Sequence, residues 1–466
     1  MPALFALHLC RSKKNSIIIR ADLETIEGEV LPDSALVTTE HKSAIEVHCA
    51  IDPFADLLPT GALGLLLSFA EKLSYFKEFE NHFHGPMKAV DYTPTEKLLT
   101  LICSLAVGCD SIKDINHKLR PYPAAARLLG LERFPDQSQV HRLFHQLEPR
   151  HASEIELVFE CLLRQFGLWQ AVDRVDLDID STGLMVYGST YEFSRKGYFP
   201  RQRGRRGYRV TLAYSSKAAG NEILGLFLDP ANSSAGARFW DCIYQTADIL
   251  GSFDRLGLIR SDAANGSGPD IEGLIELGLD FLIKGYSTKT AQALAAELKP
   301  CDWQPVDLFT RVADLGLRPI SSCRHPVRVI LVELMTHRRD KSIYSHIYTS
   351  LSPQQADAEA VFESYNGRET IEAMIKAGKN GLHIKHLRTR RYVGIQAFLY
   401  IAAITFNLIA LFRGTVLKGT ELQDLGLFEI TNKLMDIPAK CNFVGNQLEL
   451  KFPANHPYAN GLIQLN

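Results

Sequence analysis

The run VGIQAFLYIAAITFNLIALF, residues 393–412, carries no charge over 20 positions. A helix that is apolar on every side has two stable surroundings, a bilayer or the interior of a large protein core. Its length would suffice to cross the hydrocarbon layer. However, Gln396, Thr405 and Asn407 interrupt it, the chain holds no second run of this kind, and a basic stretch leads directly into it. The run is therefore read as a core helix, and no membrane is expected as a partner. A core that covers such a helix needs a sizeable domain, and 466 residues leave room for roughly two to four domains.

Lys and Arg number 51 against 53 Asp and Glu, a formal net charge of −2. With 46% hydrophobic and 22% charged residues, the composition excludes collagen-like, disordered and supercharged chains. On average the charge offers nucleic acid no attraction, but the average hides an uneven distribution. Residues 20–46 hold seven acids and two bases, whereas residues 195–209 hold seven Lys or Arg and no acid. The nine Cys are odd in number and lack both a CxxC pair and the Cys/His spacing of a zinc site, as expected of small buried hydrophobes in a reducing cytoplasm. In the opening MPALFALHLCRSKK the positive charges follow the apolar stretch, the reverse of a secretory signal.

Texture divides the chain. Residues 1–60 carry short β-like runs and give no functional signal. Residues 61–168 show helical periodicity, as in LGLLLSFAEKLSYFKEF and EIELVFECLLRQFG. From 169 to 285 the pattern alternates, with VDLDID, YRVTLAYSS, EILGLFLD, LGLIRSD and LDFLIKG reading as strands. Residues 286–359 are β-rich, 360–416 return to helix, and 417–466 form a C-terminal tail. The fold class is α/β, preceded by a mostly helical domain.

Three segments carry chemistry. In the strand VDLDID, Asp176, Asp178 and Asp180 alternate with apolar residues and share one face. Three like charges in a row repel, so a divalent cation or a cationic partner is expected beside them. LGLIRSD places Asp262 at the carboxyl end of an apolar strand, where open α/β sheets build sites. In SYNGRETIEAMIKAGKNG, residues Tyr365, Arg368, Glu372 and Lys379 stand at offsets 0, 3, 7 and 14. On a continuous helix they project within an arc of about 60°, with Gly378 a possible stop before Lys379. Carboxylates gathered from separate elements suit two Mg²⁺ or Mn²⁺ ions and in-line phosphoryl transfer.

Basic segments lie next to these motifs in sequence. In RKGYFPRQRGRRGYR, Arg195, Lys196, Arg201, Arg203, Arg205, Arg206 and Arg209 suit phosphates, and the interleaved Tyr198, Phe199 and Tyr208 suit stacking on bases. HIKHLRTRRY supplies Lys385, Arg388, Arg390 and Arg391. PDQSQVHRL reads as the start of a recognition helix, capped by Asp136 or Ser138, with Gln139 and Arg142 able to reach base edges. His141 and His145 have the spacing of a zinc helix but no Glu beside His141 and no third ligand.

Taken together, the acid motifs resemble those of the DDE transposases of bacterial insertion sequences, in the group with a Tyr-x2-Arg-x3-Glu-x6-Lys signature. Tyr365, Arg368, Glu372 and Lys379 match that spacing without a gap. Asp180-Ser181-Thr182 matches the strand-borne first acid, with Asp178 as the alternative, and Arg260-Ser261-Asp262 matches the second. The resemblance covers residues 170–415. It implies a ribonuclease-H-like core with a β-rich insertion at 286–359, preceded by a helical DNA-binding domain. It further implies Asp180, Asp262 and Glu372 as catalytic ligands of two Mg²⁺ or Mn²⁺ ions, and Tyr365, Arg368 and Lys379 as contacts to the element's end. The expected substrates are double-stranded terminal inverted repeats and target DNA, bound by a homodimer in the bacterial cytoplasm at the nucleoid. Two rivals remain open: a metal-dependent nuclease with the same core, and a catalytically silent DNA-binding protein.

Overall fold

The alternating segments after residue 169 build one ten-stranded mixed sheet. The computed structural model describes residues 7–11, 16–21, 46–51, 59–86, 91–199, 202, 204–336, 341–444 and 447–464. The chain divides into two compact units, residues 167–376 and residues 1–166 with 377–466.

Labelled from residue 167, the strands of the first of these are β1 (Val175–Val186), β2 (Arg195–Lys196), β3 (Arg206–Ser215), β4 (Ile223–Pro230), β5 (Leu256–Ser261), β6 (Asp280–Lys284), β7 (Gln304–Pro305), β8 (Thr310–Arg318), β9 (Val327–Thr336) and β10 (Lys341–Thr349). Its helices are α1 (Phe239–Leu250), α2 (Gly268–Glu276), α3 (Thr288–Ala296), α4 (Ala358–Asn366) and α5 (Glu369–Gly381), the last running on into the other unit. On one side of β1 lies antiparallel β3, whose outer edge carries β2 and β4. On the other side β5 and then β6 run parallel to it. The central strand β5 is almost continuously apolar because helices cover both faces of the sheet.

The β-rich segment continues this sheet. β10 pairs with β6, setting Tyr348 opposite Ile283, and β9, β8 and β7 follow antiparallel. One face buries Leu282, Val312, Ile330 and Ile347 under Ala358 and Val361 of α4. The opposite face packs Ala313 and Leu331 against Ala291 of α3, with Trp303 beside them. Trp303 also stacks under the Arg311 guanidinium, 4.8 Å from the ring centroid, so it serves packing. Buried Arg328 on β9 bonds Asp314 at 2.7 Å and donates to the Leu351 and Ala356 carbonyls at 2.8 and 2.7 Å, fastening the approach to α4.

In the other unit, the helices Leu63–Lys72, Pro94–Ala106, Gln137–Gln146 and Pro149–Phe166 surround the helix Tyr392–Thr415. Among the described residues, Tyr392–Thr415 is the one helix long and apolar enough to cross a membrane, and 89% of its most apolar window is buried within the protein. Two of its polar side chains find partners there. Thr405 donates to the Ile401 carbonyl at 2.8 Å, and the Tyr400 hydroxyl donates to Glu156 at 2.5 Å. The sequence boundaries grouped residues 392–416 with the α/β core. They pack instead among these helices, because a surface apolar on every side needs cover on every side. The strands Leu7–Arg11, Ser16–Ala21 and Glu46–Ile51 share a second sheet with the C-terminal strands Lys440–Val444 and Gln447–Phe452, so the two ends of the chain belong to one element.

Candidate active site

Strand alternation places the side chains of Asp176, Asp178 and Asp180 on the sheet face that α4 covers, along with Leu258 and Arg260 of β5 and Asp262 just past its end. Each acid of β1 has its own partner. Asp176 Oδ1 accepts from the Leu258 backbone N–H at 2.8 Å, filling an irregularity in the β1–β5 ladder. A Cβ at position 257 would lie 2.4 Å from that oxygen, which accounts for Gly257. Asp178, 2% exposed, takes a two-pronged bond from Arg260, with Nε to Oδ1 at 2.7 Å and Nη2 to Oδ2 at 2.8 Å. Asp180 pairs with Arg368, Nη2 to Oδ2 at 3.1 Å.

The parallel register sets Ile179 opposite Ser261, so Asp180, midway along β1, lies beside Asp262, the residue that follows the carboxyl end of β5. Asp262 Oδ1 accepts from the Ala264 backbone N–H at 2.9 Å and caps the short turn beyond β5. Asp178 is closed off by its guanidinium clamp, which leaves Asp180 as the acid of β1 that faces Asp262.

The third segment departs from the single helix expected of it. α4 ends at Asn366, and α5 begins at Glu369 and runs through Gly378 to Gly381, so Gly378 does not stop it and Lys379 is helical. The helix breaks at Gly367 and Arg368, yet Tyr365, Arg368 and Glu372 all still act on Asp180, and Arg368 pairs with it. Arg260 accounts for the glycine at 367. Its Nη1 donates to the Ser364 carbonyl at 2.8 Å, and a Cβ at position 367 would meet that nitrogen at 2.9 Å. Arg368 is buried, and its Nε has no hydrogen-bond partner among the described residues. Tyr365 packs against the α4 core, while Glu372 is exposed on α5.

Electrostatics link these groups. Burial raises the Asp180 carboxyl to about 6; Arg368 opposes the shift, and the charges of Asp262 and Glu372 add to it. Burial likewise raises the Tyr365 hydroxyl to about 12, with Arg368 opposing and Asp262 and Asp180 contributing. Five of the residues singled out from sequence therefore interact within one unit. The donors are carboxylate oxygens only, a set that suits a hard divalent cation. Arg368 offsets part of the acidic charge, and its buried, unpartnered N–H suits an incoming anion.

The basic run around β2 and β3 resolves unevenly. Arg195, Lys196 and Arg205 are exposed. Arg206 turns inward to the Ser194 hydroxyl and carbonyl, and Arg209 is half-buried. Arg201 and Arg203 lie outside the described residues. Of the interleaved aromatics only Tyr198, 79% exposed, is free to stack; Phe199 and Tyr208 are core residues, and Phe199 packs against Gly183 and Gly207. Tyr187 and Phe193, 68% and 60% exposed, join the same surface. Sequence reading passed over these two because no charge run marks them.

In the other unit, Lys385 and Arg390 are exposed. Arg388 is instead buried, donating to the Cys109 carbonyl at 2.6 Å and to that of Asp110, and Arg391 donates to the His145 and Leu147 carbonyls. A guanidinium with five donors is well suited to tying loops together. The helix Gln137–Gln146 is capped by Asp136 in a capping box with Gln139, whose amide also reaches Asp91; Arg142 is exposed.

Comparison with curated proteins returned no match. The family model described as transposase DDE domain group 1 matches residues 59–466. With a match spanning most of its length, the chain belongs to the DDE transposase family.

Proposed function

We propose that this transposase binds the terminal inverted repeats of an insertion sequence, cleaves DNA at the element's ends and joins the 3′ hydroxyls to target DNA. The observation that carries this reading is that Asp180 on β1 lies beside Asp262, just past the end of the parallel strand β5, and that the charges of Asp262 and Glu372 both raise the Asp180 carboxyl. The strand order β4-β3-β1-β5-β6, with three antiparallel strands followed by two parallel ones, supports a ribonuclease-H-like core. Asp180, Asp262 and Glu372 would hold two Mg²⁺ or Mn²⁺ ions. When bound, such ions activate the attacking hydroxyl and stabilise the leaving oxygen.

The chain's own groups position the DNA. Arg368 places its positive charge near the phosphate at the cut, with Tyr365 and Lys379 as further contacts, in keeping with the Tyr-Arg-Glu-Lys signature. Arg195, Lys196 and Arg205, with Arg201 and Arg203 of the same run, neutralise the backbone, while Tyr198, Tyr187 and Phe193 meet unpaired bases. The helical domain, with Arg142 on its capped helix, reads the repeats. Two copies of the chain act together on two ends, in the bacterial cytoplasm at the nucleoid.

A labelled element end with its flank, incubated with Mg²⁺ and a plasmid target, tests the whole reading, and joined product is the expected result. Cleavage without joining would instead identify a nuclease, and retention without chemistry a DNA-binding protein. Replacing Arg195, Lys196 and Arg205 by Ala is expected to flatten the slope of log affinity against log salt by about 0.9 for each phosphate that is no longer neutralised. Fluorescence anisotropy over a salt series reads that slope.

The raised Asp180 carboxyl predicts a pH dependence. Below about 6 this group is protonated and competes poorly for a cation. At limiting Mg²⁺, cleavage is expected to fall about tenfold per pH unit below that point, and added Mg²⁺ should move the fall to lower pH. An acid limb that ignores Mg²⁺ would refute Asp180 as a ligand.

A further inference from the structure

A second cluster lies away from the strand-end acids, in the helical unit. His383 and His386 sit three apart in a tight turn closed by the His386 N–H donating to the His383 carbonyl at 2.9 Å. His383 adopts φ +51°, a left-handed conformation unusual for a residue with a Cβ, and the two rings face each other with centroids 6.2 Å apart. Asp110, far away in sequence, is delivered to both. Its Oδ1 meets His386 Nδ1 and lies 2.8 Å from His383 Nδ1. The position of Asp110 is held by the Arg388 guanidinium, which bonds the Cys109 and Asp110 carbonyls.

The His383 approach to Asp110 lacks hydrogen-bond geometry, and the Asn432 side chain beside the ring favours its protonated form. His386 Nδ1 hydrogen-bonds Asp110 Oδ1, and His383 Nδ1 approaches the same oxygen without bonding it, so two imidazole nitrogens and a carboxylate oxygen share one point. One Asp-His bridge leaves the second imidazole without a share of that oxygen, and a cation at the common point would engage all three groups. The cluster borders a cavity of about 430 Å³, lined also by Lys113, Gln137, Ser138 and His141, which leaves room for a fourth ligand.

We propose that Asp110, His383 and His386 form a binding site for a borderline divalent cation, with Zn²⁺ the best match to a mixed nitrogen and oxygen set and a fourth position open to the cavity. This chemistry differs from that of the all-carboxylate cluster on the sheet. A cation here would tie the loop after Pro94–Ala106 to the turn before Tyr392–Thr415, closing a loop of well over two hundred residues.

The test is calorimetric titration of the metal-free full-length chain with Zn²⁺ in Mg²⁺ buffer, with Co²⁺ absorption as an independent reading. The expected result is one Zn²⁺ bound per chain and the d–d bands of four-coordinate Co²⁺. Binding should weaken at least tenfold in His386→Ala and in the milder Asp110→Asn, and persist in Asp180→Asn. Circular dichroism confirms that each variant is folded, and the Co²⁺ spectrum of the unaltered chain needs no variant. Absence of binding by the unaltered chain, or unchanged binding in both Asp110→Asn and His386→Ala, would overturn the site.

Discussion

Asp180→Asn, Asp262→Asn and Glu372→Gln, made singly, are each expected to lower DNA cleavage and joining by at least about 10³-fold while leaving end binding largely intact. The amides keep the shape of each side chain and remove the anionic oxygen that a hard cation requires. In Asp262→Asn the side-chain oxygen can still accept from the Ala264 N–H, so the turn after β5 should survive. Glu372 is exposed on α5, and its replacement should not disturb folding. Asp178 provides the contrast. Its carboxylate is held by Arg260, so Asp178→Asn should appear as reduced stability rather than as reduced turnover in the folded fraction. Single-turnover cleavage measured beside gel retention separates the outcomes, and near-normal cleavage by any of the first three variants would remove that residue from the proposed site.

Arg260→Ala is expected to destabilise the unit by about 3–5 kcal/mol, the range found when one member of a buried ion pair is removed. The Asp178 carboxylate would remain buried without its main counter-charge, and the Ser364 carbonyl would lose its donor. The sign of the pH effect follows from the same ion pair. Burial already raises the Asp178 carboxyl, and Arg260 opposes that shift. Without Arg260 the folded protein holds the proton more tightly than the unfolded chain does, so the deficit should shrink as pH falls through the raised value and be fully present above it. Urea midpoints at several pH values check this, given an unchanged m-value. Adding Asp178→Asn to Arg260→Ala should recover part of the stability; a deficit independent of pH would show that the missing packing of the arginine dominates.

The strands and their acids were legible in the sequence because period-two alternation and the turn residues are local signals. VDLDID alone assigns Asp176, Asp178 and Asp180 to one face. It does not say which acid is sealed, because that depends on Arg260, 82 positions away. The stripe of Tyr365, Arg368, Glu372 and Lys379 assumed an unbroken helix, whereas the helix breaks at Gly367 and Arg368, where Arg260 leaves no room for a Cβ. Arg388 and Arg391 counted as surface charge until their carbonyl partners were in place. The β-rich segment read as a separate insertion since strand pairing between β10 and β6 leaves no trace in either strand's own pattern.

The helix Tyr392–Thr415 is covered by helices that end at Phe166, more than two hundred residues earlier in the chain. On a ribosome adding roughly 5–20 residues per second, the covering helices wait on the order of ten to forty seconds before their partner is made. Throughout that interval their apolar faces are open to solvent and to other nascent chains. When the partner emerges, its composition is that of a membrane segment, but a waiting groove can capture it. Synthesis order thus makes the first helical stretch a client for holding chaperones, and a chain truncated before residue 392 a candidate for aggregation.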